Sequence, residues 1–442
     1  MNFNEREFSA TLRESNQKAF LKMVADYEAQ VAPAMRSQGY KRINKVERTV
    51  TFSFGEMTFA RSRWKKGNIT RIPVDEKLGL EKHQRYSKEM IYQIAVLATY
   101  VPYRKVGDIF ELLTQAVVSK DTVKKTIKYA TDLIKEKEEY RYYQEQAAPK
   151  KVKAKFIYLE GDGVLVKAKT HQKDKQNIEL SHFVIHIGSQ RIENQRSMLQ
   201  NKKEFVSISH DKAREQVKDY LYNHFEINEE TILVCNSDGG KGYGVHAFKT
   251  LGKNLGFKKI EYFWDSYHLN EKTKQFFRAY PDDLHRLAFK AIQTHNKNDL
   301  NTVFDTLESL IETEEELNEC LYMRQKLLTN FSQTKPAKLR GFSHDGIGIM
   351  ESQHRKITYR MKNRGMYWSV DGADTMSQLI ILREENKLRE LFFGDWKKEF
   401  EKISETIEQR HHAKEKTNTY HRLPEGHLKT TRLSKRVSAL KK

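Results

Sequence analysis

FIYLEGDG (156–163) and ILVCNSDGG (232–240) decide the fold of this chain, because each is an apolar run that ends in an acid beside glycine. Their length and composition predict two buried β-strands, with Asp162 and Asp238 at the strand ends. A hydrophobic strand holds a carboxylate rigidly, and the glycines let the backbone turn sharply and a substrate approach closely. The alternative is that each Asp-Gly pair marks only a turn.

The order of the surrounding elements favours a catalytic site over two unrelated turns. Residues 156–169 predict two strands around a Gly-Asp-Gly turn, and IELSHFVIHIG (178–188) predicts a third strand. An amphipathic helix over 207–225 precedes the strand that ends at Asp238. In a ribonuclease H-like α/β core, which has this order, the first and fourth strands are neighbours. We therefore expect that fold, with the two aspartates side by side.

Two adjacent carboxylates indicate a metal site, because they repel each other unless a cation lies between them. Mg²⁺ takes few carboxylates and keeps its other positions for water and phosphate oxygens. Two such ions about 3.5–4 Å apart stabilise both oxygens of an in-line phosphoryl displacement. We expect two Mg²⁺ ions as cofactors, with Mn²⁺ as a substitute, in a nuclease or phosphoryl-transfer site.

The remaining sequence divides into segments that differ in predicted secondary structure and charge. The region before the core is predicted to be mainly helical and DNA-binding, with a small β-hairpin element. The predicted units are a helix plus β-hairpin at 1–85, a helical domain at 86–145, a catalytic domain at 150–408 with an all-helical insertion at about 270–335, and a basic tail at 409–442.

Within the helical domain, a short turn joins two helices in the manner of a helix-turn-helix motif. Ser119 is a suitable N-cap for the second helix. Four lysines lie on or near the exposed face of that helix and are candidate DNA contacts: Lys120, Lys124, Lys125 and Lys128. The alternative is an ordinary helical hairpin within a bundle.

The charge distribution predicts an anionic partner. The 442 residues include 79 Lys and Arg against 59 Asp and Glu, a formal net charge of +20. Residues 36–72 and the tail 409–442 each contribute a net +8, whereas 305–319 contribute −7. Nucleic acid and an anionic membrane surface are the two usual partners of such a chain, and we favour nucleic acid.

Composition excludes several other classes. The chain lacks an apolar run of about 18 residues, so we expect no membrane span. Two cysteines, Cys235 and Cys320, are too few for a disulfide framework or a cysteine-rich zinc site. The first residues lack the apolar segment of a signal peptide, so we expect a cytoplasmic, nucleoid-associated bacterial protein.

Nearly the whole chain resembles bacterial insertion-sequence transposases of the DDE type, specifically the Lre-type (Lre-two) family, which is related to Mutator-like transposases. The segments that carry the resemblance are PVDEKLGL (73–80), YLEGDGV (158–164), VCNSDGG (234–240), FWDSYHL (263–269) and MESQHRKITYRMKNRGMYWSVDGADTM (350–376). The last is the most specific, since a Glu, a basic helix, Trp-Ser and Gly-Ala-Asp-x-Met follow in that order.

The resemblance implies roles for individual residues. Asp162, Asp238 and Glu351 would be the three catalytic acids and metal ligands, although Ser352 follows Glu351 where the family usually has Gly. Asp265 and His268 match an accessory Asp-x-x-His element. The alternative for this pair is a helix-capping Asp and a packed His.

Basic residues on the predicted helix of Glu351 complete the expected site. Arg355, Lys356 and Arg360 would contact DNA phosphates; the alternative is a solvated helix face. The expected activity is binding of terminal inverted repeats in double-stranded DNA, followed by strand cleavage and transfer by a homodimer or larger assembly. The alternatives are a ribonuclease H-like nuclease that does not transpose, and a domesticated, non-catalytic DNA-binding protein.

Overall fold

The structure, a computed structural model, describes residues 3–144, 150–169, 175–192, 197–342 and 346–406. The chain begins with a helix packed on a β-hairpin: α1 (Glu5–Ser37), β1 (Lys41–Phe52), β2 (Gly55–Lys66), β3 (Ile69–Arg71) and α2 (Pro73–Lys77). The turn of this hairpin lies at 53–54. Phe20 and Val24 of α1 are buried with Val50 and Phe59 of the hairpin in a small core of their own.

Three helices follow: α3 (Lys88–Tyr100), α4 (Tyr103–Thr114) and α5 (Lys120–Gln144). Ser119 caps α5 as predicted, because its hydroxyl accepts a hydrogen bond from the N–H of Thr122 at 3.2 Å. Gly107 lets α4 approach the turn closely, since a Cβ there would lie 2.4 Å from the carbonyl oxygen of Val118. The two helices therefore form a tight helix–turn–helix unit.

A mixed five-stranded sheet forms the centre of the molecule. Its strands are β4 (Phe156–Lys169), β5 (Lys175–His186), β8 (Lys203–Ser207), β9 (Ile232–Ser237) and β10 (Lys259–Trp264), in the spatial order β10-β9-β4-β5-β8. The pairs β4–β5 and β5–β8 are antiparallel, whereas β4–β9 and β9–β10 are parallel. The first strand of the sheet is thus the neighbour of the fourth, as expected.

Smaller elements connect these strands. They are β6 (Ser189–Arg191) and β7 (Ser197–Leu199), which pair as a short ribbon, and the helices α6 (His210–His224) and α7 (Val245–Asn254). The helix α6 is the one predicted over 207–225, and it buries Ala213, Val217 and Leu221. It packs against β5 and β8 and so covers one face of the sheet.

The prediction of a Gly-Asp-Gly turn within 156–169 is wrong. These residues form one continuous strand that pairs with β5 from Tyr158 to Lys169. The glycines are needed for space rather than for a turn. A Cβ on Gly161 would lie 2.6 Å from the ring of Phe183, and one on Gly163 would lie 2.5 Å from Glu179.

The chain beyond the sheet is helical. Four helices lie in the region of the predicted insertion: α8 (Ser266–Phe277), α9 (Asp282–Gln293), α10 (Lys297–Glu308) and α11 (Glu314–Thr329). They share a core that contains Phe277, Leu300 and Phe304. Two short 3₁₀ helices (Phe331–Thr334 and Ala337–Arg340), α12 (Met350–Met361), α13 (Val370–Glu384) and α14 (Leu388–Phe393) follow, and 396–406 are also helical.

The helices α3–α5 are not separate from the central sheet. One hydrophobic core joins Met90 and Ile127 of these helices to Val164 of β4 and to Met376 of α13. The predicted boundary at 145–150 therefore does not divide two hydrophobic cores. The basic tail at 409–442 lies outside the described residues. Within the described parts of the chain, helices both long and apolar enough to cross a membrane are absent.

Candidate active site

The three predicted catalytic acids line one cleft at an edge of the sheet. Asp162 comes from β4, Asp238 follows β9 directly, and Glu351 lies in the first turn of α12. The accessory residues Asp265 and His268 line the same cleft. The structure therefore brings together five residues that are up to 189 positions apart in the chain.

Asp162 lies in the middle of its strand, yet it reaches the cleft because the neighbouring strand is shorter. The strand β9 pairs with β4 only as far as the Glu160–Asn236 pair. Beyond that point the sheet opens, and Asp162 and Asp238 occupy the same open edge. This is the placement that the strand order predicted, although the residue is not at the end of a strand.

Two histidines and a backbone N–H surround the Asp162 carboxylate. His268 Nε2 lies 3.5 Å and His354 Nδ1 3.7 Å from Oδ2, and the N–H of Gly163 donates to Oδ1 at 2.8 Å. Burial alone would raise the pKa of Asp162. The hydrogen bonds from His268 and from the N–H of Gly163 outweigh burial and hold this pKa below its usual value. The carboxylate is therefore kept ionised.

Asp238 is fixed through its backbone as well as its side chain. The N–H of Gly240 donates to Oδ1 at 2.7 Å, and the indole N–H of Trp264 donates to the Asp238 carbonyl at 2.9 Å. Lys272 Nζ of α8 lies 3.8 Å from Oδ2. The turn after the strand therefore holds the carboxylate towards the cleft.

Asp265 and His268 combine both of the alternatives considered for them. Asp265 is buried and caps α8, because its Oδ1 accepts a hydrogen bond from the backbone N–H of His268 at 3.0 Å. The His268 ring is only partly buried and points to Asp162 rather than into a core. The hydrogen bond with Asp162 raises the pKa of His268, against the effect of burial. The pair thus joins the start of α8 to the first acid.

Sequence reasoning missed a buried carboxylate two residues before Asp162. Glu160 is 1% exposed, and its two oxygens accept hydrogen bonds from the N–H groups of Gly348 at 2.8 Å and Ile349 at 2.9 Å. Burial raises the pKa of Glu160 to about 8, although these N–H groups oppose the shift. The signal that could have revealed it was a glutamate inside an otherwise apolar strand.

His354 is a second missed residue, and it belongs to a buried polar network behind Asp162. Its ring lies 5.2 Å from that of His182, whose Nε2 is 3.0 Å from Glu204 Oε2. Burial would raise the pKa of Glu204, but His182 and the nearby Lys356 bring it far below its usual value. His354 follows Glu351 by three residues, so the shared helix face was the available signal.

Two of the three basic residues predicted to contact DNA from α12 have other partners. Lys356 Nζ lies 2.6 Å from Glu204 Oε1 and is largely buried. Arg360 is 1% exposed and donates to the carbonyl of Ala98 at 2.9 Å. A phosphate cannot reach a guanidinium in that position, so the predicted role of Arg360 is corrected to a structural one. Arg355 is exposed and remains a candidate.

The four lysines predicted on α5 all lie on its surface. Lys120, Lys125 and Lys128 are exposed, as is Lys124, which forms an ion pair with Asp121 at 3.4 Å. The face they form is continuous with the turn after α4. DNA contact by these residues stays a prediction.

The donor types in the cleft fit a divalent cation that prefers oxygen. Three carboxylates and the further acid Asp265 line it, and Glu351 is exposed and Asp238 partly exposed. In the described ranges, no three His, Cys, Asp or Glu side chains converge as ligands of a metal ion do.

A mixed α/β protein with an acidic cleft at the edge of its sheet is the class that fold and site define. The family model described as "Uncharacterised protein family (UPF0236)" matches residues 1–398, and the chain belongs to that family. It is 31% identical over 398 residues to the "UPF0236 protein in vanSb 3'region" of Streptococcus gallolyticus, covering 89% of this chain and 83% of that protein.

Among solved structures, the chain is similar to a chain of the Drosophila P element transposase strand transfer complex. The sequence identity is 11%, the TM-score is 0.24, and the match covers 74% of this chain and 88% of the other.

Proposed function

We propose that this chain is a DDE-type transposase of the Lre-type family, which cuts and joins DNA at Asp162, Asp238 and Glu351. One observation carries the proposal: the three acids come from separate elements and line the same cleft. A turn-forming role would account for either aspartate alone. It does not account for their meeting with Glu351 from α12.

The topology of the sheet supports a ribonuclease H-like assignment. Three antiparallel strands, β4, β5 and β8, are followed along the chain by two strands parallel to the first. The first and fourth strands are neighbours, and α8–α11 lie between the last strand and α12. In this reading, α8–α11 are an insertion in the catalytic domain.

The residues of the cleft have distinct tasks in the proposed reaction. Asp162, Asp238 and Glu351 would hold Mg²⁺. Bound there, Mg²⁺ would stabilise the attacking and leaving oxygens of phosphodiester displacement. His268 keeps Asp162 ionised.

The reaction would have two steps. Hydrolysis of the phosphodiester at the end of the element frees a 3′-hydroxyl, which then attacks target DNA by transesterification. The leaving group in each step is a DNA oxygen, so we expect no covalent protein–DNA intermediate. Synapsis of two DNA ends requires a dimer or larger assembly.

The hairpin and α5 supply surfaces that fit a DNA backbone. Lys41 of β1 lies directly opposite Lys65 of β2, and both are exposed. Like charges in opposite positions destabilise a strand pair, so an anionic partner explains their presence. Arg63, two residues before Lys65 on the same strand, extends this exposed basic face.

The proposal is tested by cleavage of labelled duplexes that carry the ends of the DNA element encoding this chain. We expect the purified protein to nick them in Mg²⁺, and Asp162→Asn or Glu351→Gln to reduce the rate by about 10³-fold or more. Glu229→Gln, an equivalent change at an exposed loop position, is the matched control. Undiminished cleavage by either acid variant would rule out the assignment.

A strand-transfer assay separates the proposed function from its two alternatives. A transposase joins the freed 3′ end to a second duplex, whereas a nuclease of the same fold cuts without joining. A non-catalytic DNA-binding protein would shift the labelled duplex in a gel without nicking it. Only joined products that disappear in Asp238→Asn support transposition.

A further inference from the structure

We propose that Glu160 is a positioning residue, which seats the first turn of α12 on the sheet and thereby places Glu351 at the cleft. The role of Glu351 rests on the function proposed above, whereas the seating of α12 does not. Glu160 itself does not line the cleft, so it acts through the helix rather than on a substrate.

The contact between Glu160 and the start of α12 pairs a buried carboxylate with backbone N–H groups that need an acceptor. The first N–H groups of a helix have no intrahelical acceptors. Here the carboxylate of Glu160 accepts from the N–H of the N-cap residue Ile349 and from that of Gly348 just before it, one on each oxygen. The residue at the N-cap, Ile349, has no side chain able to accept a hydrogen bond. Glu160 therefore supplies from the sheet the cap that the helix lacks.

The loop before α12 is shaped to bring its N–H groups to this carboxylate. Gly346 and Gly348 have φ angles of +97° and +78°, in the left-handed region that favours glycine. A Cβ on Gly346 would lie 3.0 Å from the His186 ring, and one on Gly348 would lie 3.5 Å from Asp265. The path of the chain into α12 is thus constrained on both sides.

The register of β4 links this seat to the first catalytic acid. Glu160 and Asp162 are two residues apart on one extended strand, so their side chains point to the same face of the sheet. One side chain holds the helix and the other faces the cleft. The strand therefore sets the separation between Asp162 and the helix turn that carries Glu351.

The competing explanation is that Glu160 contributes to the stability of the core in general. This explanation conflicts with the free-energy cost of burying a carboxylate. A carboxylate in the interior is strongly unfavourable unless it is hydrogen-bonded. An aliphatic residue at 160 would fill the same strand position without that cost. The N–H donors at the start of α12 offset this cost, so the effect of the glutamate should be confined to that helix end.

The test is hydrogen–deuterium exchange of the full-length chain carrying Glu160→Gln, without metal or DNA and above pH 8, where Glu160 in the native chain is ionised. A glutamine presents an NH₂ group to one of the two N–H donors, so one donor loses its acceptor. We expect exchange to accelerate by about tenfold or more in 346–353 and to stay unchanged in β9 and α6. Glu229→Gln, at an exposed loop position, is the control and should alter neither region.

The possible results separate the two explanations. Unchanged exchange at 346–353 would overturn the proposal, and so would equal acceleration throughout the sheet, which indicates general stability instead. If Glu160→Gln does not fold, Glu160→Asp replaces it; this carboxylate is one methylene shorter, and we expect a smaller acceleration in the same segment. The same two results overturn the proposal for this variant.

Cleavage kinetics provide a second readout that depends on the proposed function. A displaced Glu351 should lower kcat by about 10- to 100-fold in Glu160→Gln and leave KM for DNA unchanged. If the native chain does not cleave DNA, the proposed function fails. The exchange experiment still tests whether Glu160 positions the start of α12. If kcat falls in Glu160→Gln but exchange at 346–353 is no faster than in the native chain, the seating of α12 is contradicted.

Discussion

Asp162 is held by histidines, and this choice of partner suits the proposed role of the acid as a metal ligand. Among the described residues, its side-chain ion-pair partners are His268 and His354. A fixed arginine would neutralise the carboxylate permanently, whereas a histidine can release its proton near neutral pH. The arrangement keeps Asp162 ionised and still leaves it able to exchange partners.

Another buried histidine, His186, should make stability depend on pH. It stacks on Tyr158 with ring centroids 4.7 Å apart, and its Nδ1 accepts a hydrogen bond from the N–H of Gly188. Burial lowers the pKa of His186 to about 4. Between that value and about 6.5, the unfolded chain binds a proton that the folded chain does not. Stability is therefore lost as the pH falls through this window.

The variant His186→Asn isolates this contribution, because its amide oxygen can still accept from Gly188. We expect the native chain to lose up to about 3 kcal/mol relative to the variant between pH 7 and pH 4. Urea unfolding at several pH values measures the difference. His246→Asn, at an exposed position, is the control and should keep the native pH dependence. Equal slopes for His186→Asn and the native chain would contradict the prediction.

At the scale of elements, sequence patterns predicted order better than local geometry. The apolar runs ending at Asp162 and Asp238, and the helix between them, predicted which strands are neighbours. The Gly-Asp-Gly sequence was misread as a turn, because close packing against Phe183 and a tight bend select the same residue type. A glycine in the sequence indicates a position where a side chain is not tolerated. Whether the cause is close packing or a tight bend is seen only from its neighbours in the structure.

The three proposed catalytic acids and the residues that contact them also differ in how far the sequence predicts them. Glu351 could be chosen from the resemblance to transposases but not from periodicity. Glu160 and His354 could not be assigned, because their partners come from distant elements. Arg360 was misassigned for a related reason: a basic helix pattern does not distinguish a solvated face from one that covers Ala98 and Trp368.

The hairpin offers a prediction at the element scale, which concerns the opposed Lys41 and Lys65. Replacing both by glutamine removes their repulsion, so the hairpin should become slightly more stable, by about 0.2–1 kcal/mol. DNA affinity should fall, and the slope of log K against log salt should decrease in magnitude by about 2 if both contact phosphates.

Fluorescence anisotropy with a labelled duplex at several salt concentrations measures that slope. The double change Glu229→Gln and Glu230→Gln, at exposed loop positions, is the charge-altering control and should leave the slope unchanged. An unaltered slope in Lys41→Gln/Lys65→Gln would show that the hairpin does not contact the phosphate backbone.

At the scale of the whole molecule, two of the hydrophobic cores in the described chain differ in extent: one is small and confined to the helix–hairpin unit, and the other crosses the predicted domain boundary. The helix–hairpin unit keeps Phe20, Val50 and Phe59 in its own core. It joins the rest through few backbone bonds, including those between Thr51 and residues 85 and 87. The helices α3–α5, in contrast, share a core with the sheet and with α13. A helical region that carries the candidate DNA contacts is therefore joined to the central sheet through a shared core.

Two truncations follow from this difference. Removing residues 1–83 should leave a fragment that unfolds cooperatively, because the extended core stays complete. Removing residues 1–149 should prevent stable folding, because Val164, Leu180 and Met376 would lose the helices that bury them and expose a large apolar surface. Size-exclusion chromatography and thermal unfolding by circular dichroism compare the two fragments. A monomeric, cooperatively folded 150–442 fragment would show that the sheet folds without α3–α5. Loss of folding in the 84–442 fragment would show instead that the hairpin unit stabilises the extended core.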